Sequence, residues 1–180
     1  MQREVLVAIL VLSATDFTFA MLTNSLARLV PLNVKQFVNT FQKIWTYKTT
    51  NRTHVLCEVD KRQSISELSI VFKRSFIIGR TRCDLQIRGL FDAINKRRMT
   101  LFQRDTFRSV ETLLFVAADQ SCAIFKIESL SDWNAMRYDL RVKNSFITRR
   151  PRISCRNYYN RVIGRQPSFT VYAAQCRWVF

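Results

Sequence analysis

From position 44 onward the chain is a succession of short runs rich in β-branched and aromatic residues, about five to ten residues each, divided by polar breaks. Strands are predicted over 44–47, 54–59, 67–76, 84–91, 99–103, 110–117, 123–128 and 135–147. With no helix between successive strands, the pairing must be antiparallel. Eight such strands can close a barrel whose interior holds one small ligand. A two-sheet sandwich leaves the same pattern, and composition does not separate the two. Local alternation fits either: Leu68, Ile70 and Phe72 share one face and Ser69 and Lys73 the other, with Val71 the exception.

Helical signals flank this block. Val34, Phe37, Val38 and Phe41 recur with the period of one helix face, and Asn33 stands where an N-cap belongs. After Pro151, the segment 153–163 reads as a second helix packed outside the sheet, followed by an extended tail through 169–172. Proline and glycine number three each in 180 residues and no linker interrupts the chain, so residues 21–180 are expected to form one domain with a sizeable core. Residues 1–20 read as a secretory signal peptide: Arg3 precedes an apolar run over 5–12, and Thr18 and Ala20 offer small residues before a cut. That run is well short of the ~20 residues a membrane span needs. The mature protein, starting near Met21, is therefore expected to be secreted and extracellular.

Export into an oxidising compartment favours disulfides among Cys57, Cys83, Cys122, Cys155 and Cys176. Five is odd, and four cysteines can pair in three ways. The lone histidine, His54, and the absence of CxxC spacing leave no support for a metal site or a catalytic nucleophile pair. Net charge is +16, but the basic residues are scattered, as in Lys73-Arg74, Lys96-Arg97-Arg98 and Arg149-Arg150-Pro-Arg152, with no nucleic-acid-binding motif around them. No nucleic-acid partner is expected. A solvated basic surface that takes up glycans or acidic membranes at low salt is. Asn51-Arg-Thr53 is an N-glycosylation sequon in the loop between the first two predicted strands.

Taken in order, several pieces resemble the tick salivary lipocalins, the histamine-binding protein family. They are Phe41-Gln-Lys-Ile44-Trp45-Thr-Tyr47-Lys-Thr-Thr50, then Cys57-Glu-Val-Asp60, then Cys122 opening a strand. Tyr138-Asp139-Leu140-Arg141-Val142-Lys-Asn-Ser145 and the ending from Cys155 to Cys176 complete the set. The resemblance implies an eight-stranded antiparallel lipocalin barrel, all-β, with a short N-terminal helix and a C-terminal helix outside. It implies disulfides Cys57–Cys176 and Cys122–Cys155, leaving Cys83 over. It also implies a monomeric scavenger, with no cofactor and no enzymatic reaction, that sequesters a small host mediator in evasion of host defence.

Within that family some members hold histamine or serotonin with carboxylates and aromatic walls, and others hold fatty acids or eicosanoids with basic groups. A buried ammonium needs an ionised carboxylate and π faces, whereas a carboxylate ligand needs an arginine fork. The amine pattern resembles Cys-Asp followed later by Glu-Leu-Trp or Glu-Leu-Tyr. Here Ala123 follows Cys122, Asp139 takes the Glu position, and Arg141 replaces the aromatic on the same strand face. Either Asp139 and Arg141 pair with each other across the pocket floor, or Arg141 meets an anionic head group, with Phe125 and Ile127 lining an apolar tail site. Tyr47 matches a tyrosine that lines the amine pocket in the resembling proteins. Asp60 and Glu67 are further carboxylates whose facing the sequence leaves open.

Overall fold

The structure, a computed structural model, describes residues 31–129 and 136–180. The signal-peptide segment and the start of the mature chain lie outside the described residues, as does Ala135. Residues from Leu32 to Phe180 form one compact unit.

Every predicted run contains a strand: β1 (Ile44–Thr49), β2 (Val55–Ile65), β3 (Ser69–Ile78), β4 (Thr81–Phe91), β5 (Arg98–Gln103), β6 (Thr106–Val116), β7 (Cys122–Ser129) and β8 (Met136–Lys143). A short β9 (Phe169–Thr170) joins them. Sheet order is β2-β3-β4-β5-β6-β7-β8-β1-β9, and β2 pairs back onto β1. The first eight therefore close into an antiparallel barrel, which excludes the sandwich. β2 runs to Ile65 because Lys61 to Ser64 are polar residues with outward or rim positions, and a search for apolar runs stops short of them. The last run ends at Lys143 and continues as a 3-10 turn over Asn144–Phe146.

Helix α1 (Val34–Val38) starts at Asn33, whose side chain accepts the Gln36 N–H, and buries Val34, Phe37 and Val38. It closes one end of the barrel, where the Val34 N–H donates to Lys96 O and Lys35 Nζ donates to Glu67 O. Phe41 does not extend the helical face. The helix stops at Asn39, and Phe41 is 87% exposed with the Arg62 guanidinium 3.9 Å over its ring. Leu68 also departs from expectation: it sits in the turn before β3, exposed, while Ile70 and Phe72 point inward.

Period-two alternation splits the apolar residues into two clusters. One fills the barrel and includes Phe37, Ile70, Phe72, Met99, Leu113 and Phe125. The other lies outside, where helix α2 (Ile153–Ile163) buries Cys155, Tyr159 and Ile163 against Ile124, Leu140 and Val142. Gly164 ends α2 at φ +57° and donates its N–H to Asn160 O, a left-handed cap that glycine adopts without strain. The disulfides are Cys57–Cys176 and Cys122–Cys155, and Cys83 is free and half-buried, with the inward parity of Leu85 and Ile87 on β4.

The barrel has a seam. β1 and β2 pair only at Ile44↔Asp60 and Trp45↔Val59, and beyond these each strand bulges, β1 between Thr46 and Lys48 and β2 between Leu56 and Val59. Cys57 in the β2 bulge has φ +57°. The C-terminal tail spans the gap from outside: Cys57 N–H donates to Val171 O, and Val171 N–H donates to Tyr47 O. A final short helix α3 (Cys176–Val179) follows the disulfide that fixes this tail.

Candidate functional site

On β8 the alternation places Arg137, Asp139, Arg141 and Lys143 toward the barrel axis, with Leu140 and Val142 outward under α2. Asp139 and Arg141 are 1% and 2% exposed. Arg141 lies 3.3 Å from Asp139 through Nη2, but its main partner is Glu111 on β6, which it grips with two bonds of 2.6 and 2.8 Å. Arg74 on β3 forks onto Asp60 at 2.7 and 2.8 Å and reaches Glu111 at 3.3 Å. Asp60 is in turn 3.9 Å from Arg141, closing a ring of two arginines and two carboxylates. The Phe125 ring lies beneath, 4.6 Å from the Arg141 guanidinium carbon.

Burial opposes ionisation of Glu111, yet Arg141 and Arg74 outweigh it and hold the carboxyl down to about 2. Burial likewise disfavours the Arg141 cation, and Glu111 more than restores it, so its pKa rises. The guanidinium is thus neutralised by the protein and is not a vacant receptor for a ligand carboxylate. Little room for an apolar tail opens beside it among the described residues. Phe125 and Ile127 are fully buried packing, and the hollow between Arg141, Asp60, Phe72 and Met99 has a volume of about 20 Å³, room for about one water.

Space opens instead at the seam, above this ring. A cavity of about 100 Å³ is lined by Thr46, Thr49, Asn51, Thr53, Val55, Glu58, Arg137, Asp139 and Val171. Two carboxylates face one arginine there. Asp139 Oδ1 is buried with no hydrogen bond, its nearest cation being Arg137 Nε at 3.5 Å. Glu58 accepts a 2.7 Å bond from the Thr46 hydroxyl and makes no ion pair among the described residues. Burial raises the Glu58 carboxyl, but Arg74, Arg137 and Arg141, with the Thr46 bond, bring it below its ordinary value. It is ionised at neutral pH. Among the described residues no three acidic, histidine or cysteine side chains gather to hold a metal ion.

The expected site residues therefore separate. Asp139 reaches the cavity and Arg141 the ring beneath it, Phe125 supports that ring, and Asn51 stands exposed in the loop at the cavity rim. Tyr47 is elsewhere. It follows inward Thr46, so its side chain points out of the barrel and its ring stacks 6.1 Å from Tyr172. Glu67 is exposed in the turn at the α1 end. Glu58, Arg74 and Glu111 are interior residues that the sequence reading did not select, and Arg74, grouped there with the basic surface, is only 8% exposed. A signal existed for Glu111, a lone charge in an apolar run two residues from Leu113 on the same face. Thr49 had none, because only the β1 bulge turns it inward opposite Asp139.

No protein-family model matches the chain, and no curated protein matches it in sequence. Solved structures do match. AM182 in its serotonin complex superposes with a TM-score of 0.58 at 19% identity, covering 75% of this chain and 84% of that one. Japanin from Rhipicephalus appendiculatus bound to cholesterol gives 0.53 at 9% identity, covering 74% and 93%. Lobster apocrustacyanin A1 gives 0.54 at 13%, covering 85% and 86%. At these identities the likeness establishes the architecture, and that architecture is the lipocalin barrel.

Proposed function

Starting from a lipocalin barrel, we propose that this protein binds and sequesters a small cationic amine in the seam cavity between Glu58 and Asp139. The observation that carries the reading is the excess of carboxylate at the cavity wall, with one buried Asp139 oxygen lacking a hydrogen-bond donor. A primary ammonium supplies up to three donors and one positive charge, which matches two carboxylates and the Thr46 and Thr49 hydroxyls. Size agrees: about 100 Å³ suits a compact amine such as histamine, whereas a twenty-carbon fatty acid needs a site of about 300 Å³ or more. Arg141, taken up by Glu111, speaks against the eicosanoid alternative.

Several expectations accompany this reading. The two disulfides fit an oxidising, extracellular setting. The serotonin carried by AM182 and the resemblance to tick salivary lipocalins favour a host amine mediator and a role in evading host defence. Glycosylation of Asn51 would place a sugar beside the cavity entrance. No step of this function requires bond making or breaking.

Calorimetric titration of the oxidised protein with histamine, serotonin and arachidonate tests the assignment. Saturable amine binding is expected, weakened about tenfold or more in Glu58→Gln and in Asp139→Asn, since each removes a buried charge partner of the ammonium. Arachidonate binding that is lost in an Arg141 variant, with no heat from either amine, would overturn it.

A further inference from the structure

Tyr47, left outside the barrel by its parity, forms part of a second hollow. On the outer wall of β1, between the chain following β8 and the C-terminal tail, lies a groove of about 440 Å³. Tyr47 and Tyr172 stack at 25° to make its floor, and Trp178, 90% exposed, stands at its side. Arg149, Arg150 and Arg177 line it, all exposed and without an ion-pair partner among the described residues. No acidic residue lines it. Two other surface hollows of comparable size each carry two carboxylates, Asp84 and Asp105 in one and Glu67 and Asp92 in the other.

We propose that this groove is a binding site for a sulfated glycan chain, separate from the interior amine site. Three arginine forks present paired N–H donors suited to the oxygens of sulfate groups. The aromatic floor offers a flat apolar face on which a sugar ring can stack between them. At about 440 Å³ the groove is larger than one sulfate requires and falls within the ~300–1,000 Å³ range of ligand sites. A membrane surface fits less well, because both tyrosine rings form a concave floor and only Trp178 projects. The net charge of +16 draws polyanions toward the whole molecule, and the groove gives that attraction a place and a geometry.

The test is titration with a heparin hexasaccharide at about 0.15 M salt, followed by calorimetry and by the fluorescence difference between the native protein and Trp178→Phe. The triple variant R149A/R150A/R177A is expected to lose about tenfold or more in affinity, and Trp178→Ala about threefold or more. K96A/R97A/R98A, which removes the same charge from the β4–β5 loop, across the barrel from β1, should change affinity less than about threefold. Desulfated hexasaccharide should not bind, and Asp139→Asn should bind the sulfated form like the native protein. Equal losses in the two triple variants would overturn the site in favour of diffuse charge. So would unchanged binding by Trp178→Ala, or Trp178-dependent binding to phosphatidylserine vesicles with none to the hexasaccharide.

Discussion

Glu111 shows how much one residue can hold in place. Its carboxylate accepts from both Arg141 and Arg74, and it is completely buried, so removing its charge leaves two guanidinium groups short of a partner in the barrel interior. Glu111→Gln is expected to cost about 3–5 kcal/mol, read by urea denaturation at pH 7. Its protonation has a defined sign. The folded pKa of about 2 lies below the ordinary 4.5, so the stabilisation is complete above pH 4.5 and is lost as pH falls toward 2, about 3 kcal/mol in all. Asp60, raised by burial against the pull of Arg74, acts in the opposite sense, so the Glu111 contribution is read as the difference between the native protein and Glu111→Gln. Denaturation midpoints at pH 7, 4.5 and 3 should therefore fall, and in Glu111→Gln the fall should be much smaller. That Arg141 shares a strand face with Asp139 was legible from their spacing of two; which face turns inward was not, because a one-residue change of register reverses it. Nor was the true partner of Arg141, because Glu111 lies thirty residues away and meets it only once the barrel closes.

Among the elements, the strands and α2 were readable because each carries its own period, and α2 spans the predicted segment. The seam was not readable. Bulges in β1 and β2 change which residues face inward without leaving a mark in the apolar pattern, and they decide that Thr49 faces the cavity. The two disulfides act on different lengths of chain, 119 residues for Cys57–Cys176 and 33 for Cys122–Cys155. Each should cost about 2–5 kcal/mol to remove, with the longer loop costing about 1 kcal/mol more, as measured by equilibrium unfolding of paired Cys→Ser variants. Gly89 on β4 is the tightest point of the wall. A Cβ there would lie 2.8 Å from Met99 Sδ and 2.9 Å from Ile70 Cγ2, so Gly89→Ala should destabilise by about 1–2 kcal/mol, and by less when introduced into a Met99→Ala background.

For the whole molecule, charge is divided between two environments. The exterior carries most of the +16, while the interior gathers Glu58, Asp60, Glu111 and Asp139 around three arginines. The two proposed sites should therefore answer salt differently. Raising ionic strength from low to physiological should weaken hexasaccharide binding steeply and leave amine affinity nearly constant, a contrast that titrations at three salt concentrations would expose. Composition announced the first environment and concealed the second, since Arg74 reads like any other basic residue until its strand acquires neighbours. The seam carries a mechanical consequence. Seven strand-to-strand contacts circle the barrel without a break, and the eighth is held by two residue pairs, so the cylinder is a slit tube whose edges can part without tearing the rest of the wall. Val171 and the Cys57–Cys176 bond sit across that slit like a buckle. Thermal breathing should therefore be concentrated there, and the amides of Cys57 and Val171 are expected to exchange with solvent sooner than those of β6 and β7.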